Sequence, residues 1–347
     1  MSSTKPKSES PAATDNGDFS IESLDDVRKL FAAIGDRCRI MVQGRDDTIA
    51  LILIALLADG HVLLEDHPGS GKTTLSRALG ESIRRPPGDD TFAPLRRIQF
   101  TPDLLPSDIT GGMVFDTESK QFTFRPGPIF ANMVLADEIN RTSPKVQASL
   151  LEAMAEKQVT VDNHSHVLED VFFVIATQNP LDLAGTYPLP RAQLDRFLFK
   201  VRMTYLQRDD ELDVRSQWRA ARKTPPTFSV TPHTVTAARQ LMQETVEVSP
   251  KIHECLVDIA GSLRADPRVA LAISTRSLVL AIPALQARAM MHGRDYVSPK
   301  DIKALAVPLF SHRLELAPGN KEHDAVDEEC TASVVEAATR ESLAASA

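Results

Sequence analysis

The spacing of apolar residues changes character along the chain, and the changes mark out its elements. Within residues 21–38, Leu24, Val27, Leu30, Phe31 and Ile34 recur at intervals of three and four, which predicts a helix with one buried face. A second helix is expected over 46–57. Residues 61–65 form a short apolar run that reads as a buried strand, with helix again from Thr73 onward. Strand-like runs recur at 97–101, 133–137, 171–177 and 197–203, and helical stretches such as 145–156 separate most of them. Strands alternating with helices predict a parallel sheet covered on both faces.

After Tyr205 the strand pattern stops. Residues 206–316 read as helices, broken at Pro225-Pro226, Ser249-Pro250, Asp266-Pro267 and Ser298-Pro299. At Ser249-Pro250 and Ser298-Pro299 the serine suits an N-cap and the proline a first helical turn. The expected organisation is therefore a disordered tail (1–20), an α/β domain (21–205), a helical domain (206–316) and a C-terminal helix or tail (317–347).

Composition narrows the function classes. A chain of 347 residues with 42% hydrophobic and 25% charged residues can bury two ordinary cores. Its formal net charge of −8 gives no basic footprint and argues mildly against a nucleic-acid partner. The strongest apolar run, 49–58, is stopped by Asp59 and falls short of the roughly 18 residues a membrane span needs. Residues 1–20 lack the apolar centre of a signal peptide, and three scattered cysteines suggest neither a disulfide framework nor a metal site. The expectation is a soluble cytoplasmic protein.

Three motifs, in order, carry the chemistry. After the first strand comes Asp66-His67-Pro68-Gly69-Ser70-Gly71-Lys72-Thr73-Thr74. A glycine-bearing loop between a strand and a helix aims backbone N–H groups at phosphate oxygens. Lys72 suits the β- and γ-phosphates and the Thr73 hydroxyl suits Mg²⁺, although Asp66 stands where the usual loop begins with Gly. The strand 133–137 then ends in Asp137-Glu138: Asp137 suits Mg²⁺, and Glu138 suits a base that orients water. Third, the strand in Phe172–Asn179 delivers Asn179, able to hydrogen-bond a γ-phosphate or the attacking water. Arg191 and Arg196 precede the last strand, each open to a role at a neighbour's nucleotide or to pairing with Asp195 or the sheet edge. Arg276, after Ser274-Thr275, is open either to reaching back to the nucleotide or to lying in solvent.

With these residues in hand, the chain resembles the AAA+ ATPases, and among them the MoxR family. The narrower likeness rests on Asp137–Arg141, Leu151–Met154, Ala176–Pro180, Gly185–Pro190 and Ala192–Phe197, with echoes in Gly293–Asp301 and His312-Arg313-Leu314. It implies a P-loop core with a five-stranded parallel sheet flanked by helices and a small all-helical lid. It also implies ATP and Mg²⁺ as ligands, Asn179 as a first sensor, Arg196 as a finger acting on the neighbouring subunit and Arg276 as a second sensor. Further implications are a ring, a hexamer by expectation, remodelling or metal and cofactor insertion in client proteins, and partners with von Willebrand factor A domains. The likeness implies an insert within 101–127 and a hairpin over 159–168 around Asp162-Asn163, both facing the pore or substrate. His164 and His166 fall in that hairpin and read as surface residues.

The departures are Gln43-Gly44, which reverses the family's Gly-Gln; Arg191, where a Glu is usual; and Ala272 and Thr275, which replace Gly and Pro around Arg276. A nucleic-acid-dependent motor and a nucleotide-gated binding protein with little turnover are the alternative functions.

Overall fold

The computed structural model describes residues 20–66, 70–83, 92–179, 185–206, 208–212, 214, 230–319, 325, 326, 328–333 and 336. The first nineteen residues, His67–Gly69, the Pro225-Pro226 break and most of the segment after 319 lie outside that set.

Helix α1 (Leu24–Met41) begins at a capping box, in which Ser23 and Asp26 satisfy each other's backbone N–H groups. Val27, Leu30, Phe31, Ile34 and Cys38 form its buried stripe. Helix α2 (Asp46–Leu57) is buried on nearly every side, consistent with its almost unbroken apolar sequence. The main sheet contains β1 (Val62–Asp66), β2 (Ala93–Gln99), β5 (Ala131–Asp137), β8 (Phe173–Gln178) and β9 (Phe199–Met203). All pairings are parallel, in the order β2-β5-β8-β1-β9. Helix α3 (Lys72–Ser82) follows β1, and α5 (Pro144–Glu156) follows β5.

Alternate residues of the strands serve two cores, one on each face of the sheet. Val62, Leu64, Met133, Leu135, Phe173 and Ile175 pack with α1, α2 and α3. Leu63, Val134, Ala136, Phe172, Val174 and Ala176 pack with α5. The first core does not stop at the α/β part. It runs on into α7 (Pro232–Thr245), α8 (Pro250–Ala265), α9 (Thr275–Met291) and α10 (Pro299–Phe310). Ser298 caps α10 through a box with Asp301, whereas Ser249 stands at the N-cap of α8 without a side-chain bond. The helical reading of this part omits a two-stranded ribbon, β10 (Val269–Leu271) with β11 (Glu315–Leu316). Three residues carry too little periodicity to announce a strand.

Two hairpins stand outside the sheet. A short helix α4 (Pro106–Thr110) leads into β3 (Gly111–Asp116) and β4 (Gln121–Pro126), the expected insert. At its base a side chain on Gly127 would lie 2.2 Å from the Ile109 carbonyl oxygen, so only glycine lets the strands close there. The second hairpin pairs β6 (Gln158–Val161) with β7 (His164–Val167), turning through Asp162 and Asn163, both at positive φ. His164 is exposed, but His166 is not the surface residue expected: it is half-buried and stacks on Phe124 of β4, centroids 3.7 Å apart.

His61, just before β1, accepts a hydrogen bond at Nδ1 from the Val174 N–H (3.1 Å), which leaves Nε2 to donate to the Met154 carbonyl (3.2 Å). Burial keeps the ring neutral and lowers its pKa from 6.5 to about 4. The folded state therefore binds fewer protons than the unfolded one in that window. Stability should be full above about pH 6.5 and decline as pH falls towards about 4. Thermal melts across this range should show a shallower decline for His61→Gln than for the wild type.

Candidate functional site

The C-terminal ends of β5, β8 and β1 lie side by side, with Ala136 beside Ala176 and Glu65 beside Gln178. At this edge Asp137 is almost fully buried and ringed by donors. Arg97 of β2 donates to its Oδ2 from Nη2 (2.6 Å) and Nε (3.2 Å), and Thr177 of β8 donates to Oδ1 (2.8 Å). Lys72 Nζ lies 3.6 Å from Oδ1. Burial alone would raise the pKa of Asp137. The bonds from Arg97 and Thr177 and the charges of Lys72 and Arg97 outweigh it, holding the carboxyl below its ordinary value.

Glu138 follows at φ 59°, a left-handed backbone that costs a non-glycine residue about 1–3 kcal/mol. Its N–H donates to Thr177 Oγ1 (2.9 Å), which helps hold the turn. Its side chain accepts from Gln99 Nε2 at Oε2 (2.8 Å), and Arg141 Nε lies 3.2 Å from the same oxygen. Thus β2 grips both acids, Asp137 through Arg97 and Glu138 through Gln99.

Helix α3 starts at Gly71, which has φ 94° and faces Val42: a side chain there would meet Val42 Cγ1 at 3.3 Å. Gly44, two residues beyond Val42, has φ 69° and no room for a side chain beside Asp210. A glycine at that place in the reversed Gln43-Gly44 pair thus has a local reason. Helices α1 and α2 carry acidic pairs in their first turns, but α3 carries no acidic residue there and no side-chain cap. Its leading N–H groups have no side-chain cap, and with Lys72 beside them they suit an anion. Ser70 precedes it, and Thr73 and Thr74 lie half-buried in its first turn. The Thr73 hydroxyl has no hydrogen-bond partner among the described residues. An ionised acid and an unpartnered hydroxyl beside an uncapped helix end fit a magnesium-bound polyphosphate. Pro68 and Gly69 lie outside the described residues.

The remaining expected residues sit apart from this cluster. Asn179 lies half-buried immediately after β8. Arg191, at the start of α6 (Arg191–Leu194), donates to the Leu314 carbonyl and pairs with Glu315 at 3.3 Å. Asp195 pairs with Arg313 at 2.8 Å, not with either candidate arginine. Arg196 is half-buried, and its side chain makes no hydrogen bond or ion pair with another described residue. Arg276 is exposed in the first turn of α9, close enough to act on Arg313, whose pKa is lowered to about 10 chiefly by burial.

Sequence reading missed Arg97, Gln99 and Thr177. Thr177 stood inside a quoted motif, but its neighbour across the sheet is known only from strand order. Arg97 and Gln99 alternate on a strand whose polar positions resemble any solvated edge.

Comparison with known proteins agrees with this geometry. Residues 61–199 match the family described as "ATPase family associated with various cellular activities (AAA)", and residues 261–331 match the AAA lid domain. The chain is 35% identical over 327 residues to "Chaperone MoxR1" of Mycobacterium tuberculosis, covering 89% of this chain and 80% of that one. It is 49% identical over 286 residues to the uncharacterized protein YeaC of Bacillus subtilis, covering 82% and 86% respectively. A crystal structure of a Cytophaga hutchinsonii protein assigned as an ATPase superimposes with a TM-score of 0.76 at 34% identity, covering 91% of this chain and 95% of that one. Fold, site and relatives together define a AAA+ ATPase, and the chain belongs to the MoxR family of that class.

Because Gln99 and Arg141 share Glu138 Oε2, loss of the Gln99 amide removes one of the two restraints on that acid, and Gln99→Ala should raise steady-state ATPase turnover in the absence of other proteins. A coupled-enzyme assay reads this directly. A fall in turnover would mean that Gln99 positions Glu138 instead of restraining it.

Proposed function

We propose that the chain hydrolyses ATP at sites shared between copies of itself in a closed ring, taken to be a hexamer, and uses the cycle to remodel or mature other proteins. The observation that carries this reading is the pairing of a complete acid cluster, Asp137 with Glu138 beside Lys72, with an arginine, Arg196, that has no partner among the described residues.

In this reading the N–H groups of Ser70, Gly71 and the first turn of α3 bind the β- and γ-phosphates, together with Pro68 and Gly69 of the loop. Lys72 bridges the same oxygens. Thr73 and Asp137 hold Mg²⁺, which when bound neutralises charge on the phosphates. Displacement of Lys72 and Arg97 from Asp137 accompanies nucleotide entry, because the carboxylate then serves the metal site. Glu138, released by Gln99, orients the attacking water and accepts its proton. Asn179 hydrogen-bonds that water or the γ-phosphate. Arg276 reaches the nucleotide from the helical part of the same chain, and Arg196 reaches it from the neighbouring copy. Arg191 is the weaker finger candidate, since Glu315 and the Leu314 carbonyl already engage it.

We take 21–205 as the nucleotide-binding part and 206–316 as the lid, with the shared hydrophobic core as the path by which one moves the other. Work on client proteins is supported by the name "Chaperone MoxR1" of the mycobacterial relative, and metal or cofactor insertion and a von Willebrand factor A domain partner by the family likeness alone. Among the described residues no helix is long and apolar enough to cross a membrane. A cytoplasmic location is proposed from composition and from the free, buried state of Cys38, Cys255 and Cys330.

The test is ATPase rate per chain against protein concentration. It should rise with assembly in the wild type and vanish in Glu138→Gln. Arg196→Ala should lower it by roughly 10³- to 10⁵-fold. A rate independent of concentration and untouched by Arg196→Ala would mean that one chain completes its own site.

A further inference from the structure

The Arg196 side chain has no partner among the described residues, yet the residues on either side of it are held by several bonds. One short stretch, His312–Glu315, holds both flanks. Before Arg196, Arg191 donates to the Leu314 carbonyl and pairs with Glu315 at 3.3 Å. Directly beside it, the Asp195 carboxylate accepts from Arg313 Nε (2.8 Å) and from Ser277 Oγ (3.1 Å). Directly after it, the Phe197 carbonyl accepts from Arg313 Nη2 (2.7 Å) and lies 3.2 Å from His312 Nε2. Arg313 is almost wholly buried and also donates to the Leu309 carbonyl, the last turn of α10.

Every one of these partners belongs to the helical part of the chain. Ser277 lies one residue after Arg276 in the first turn of α9, and His312–Arg313 directly follow α10. A close-packed interior moves in blocks and does not stretch. Phe197 is itself anchored by its ring in the core beneath α5, so a rotation of α9 and α10 would pull on the Asp195 carboxylate and the Phe197 carbonyl and turn the half-buried Arg196 between them.

We propose that Asp195 and Arg313 are positioning residues that make the direction of Arg196 follow the lid of its own chain. The nucleotide held by one copy would thereby set the finger offered to the next. This rests on the reading above that Arg196 acts on a neighbour. The link differs from a stabilising ion pair in one respect: its loss harms the neighbour's site and leaves the chain's own site intact.

That difference is testable by mixing two inactive proteins. Glu138→Gln copies cannot hydrolyse ATP but present an intact Arg196, whereas Asp195→Asn copies keep every group of their own hydrolytic site. Asp195→Asn alone should lose roughly 10²-fold in kcat, the scale of a finger misplaced by about 1 Å, with KM for ATP changed less than about twofold. Arg313→Lys, which keeps the charge but not the fork, should behave alike. Mixing Asp195→Asn with Glu138→Gln should restore turnover well above the sum of the two, as should mixing Arg196→Ala with Glu138→Gln. Recovery in the Arg196→Ala mixture but not in the Asp195→Asn mixture overturns the proposal, since Asp195 would then act within its own chain. So does an unchanged kcat in Asp195→Asn. Failure of the Arg196→Ala mixture itself would instead remove the shared site, and this proposal with it. Ser277→Ala removes one donor without stranding a buried charge. Should Asp195→Asn fail to fold, Ser277→Ala gives the same test, with a several-fold loss and the same recovery expected.

Discussion

The carboxylate of Asp137 is the point on which the site depends. It ties four pieces of chain together: its own strand, Arg97 on the edge strand, Thr177 on the strand to the other side, and Lys72 at the start of the phosphate-binding helix. A buried acid costs several kcal/mol unless it is compensated, and here two cations and a hydroxyl compensate it. The same arrangement stores two positive groups where a triphosphate and its metal would sit. Glu138 inherits its position from this anchor, because its N–H is bonded to the same Thr177 hydroxyl.

Glu138 is held from two sides. Gln99 and Arg141 both engage Glu138, and the left-handed turn at that residue is strained. Both contacts fall on Oε2, so release of Gln99 or Arg141 changes which way that carboxylate faces. The insert hairpin lies further along the chain after β2, and its Phe124 stacks on His166 of the second hairpin. The two hairpins, which lead back to β5 and β8, are therefore joined to each other.

Much of the fold was legible because strong periodicity survives any tertiary context. Helix α2 appears over 46–57 as expected, whereas the hairpin turning at Asp162-Asn163 was expected from the family likeness and not from periodicity. The edge strand starts at Ala93, four residues before the expected 97, because its exposed face mixes Pro94 and two arginines with apolar positions. The β10–β11 ribbon escaped for lack of length. Lys72, Asp137 and Glu138 could be named from motif order, since each motif reports a strand end. Their hydrogen-bond partners could not, because Gln99 and Thr177 reach them only through strand order. The pairing of Asp195 with Arg313 spans 118 residues and has no local signature. Arg191 is engaged by Leu314 and Glu315, whereas the Arg196 side chain has no partner among the described residues.

The central claim is that the hydrolytic site is completed by a second copy of the chain. The most direct measurement is the mass distribution of Glu138→Gln protein in solution, with and without Mg²⁺ and ATP. This variant should retain bound triphosphate and convert to a single closed assembly of fixed copy number, which the same experiment on Lys72→Ala should not show. Protein that stays monomeric with ATP bound, across the range where the wild type turns over, would contradict the account.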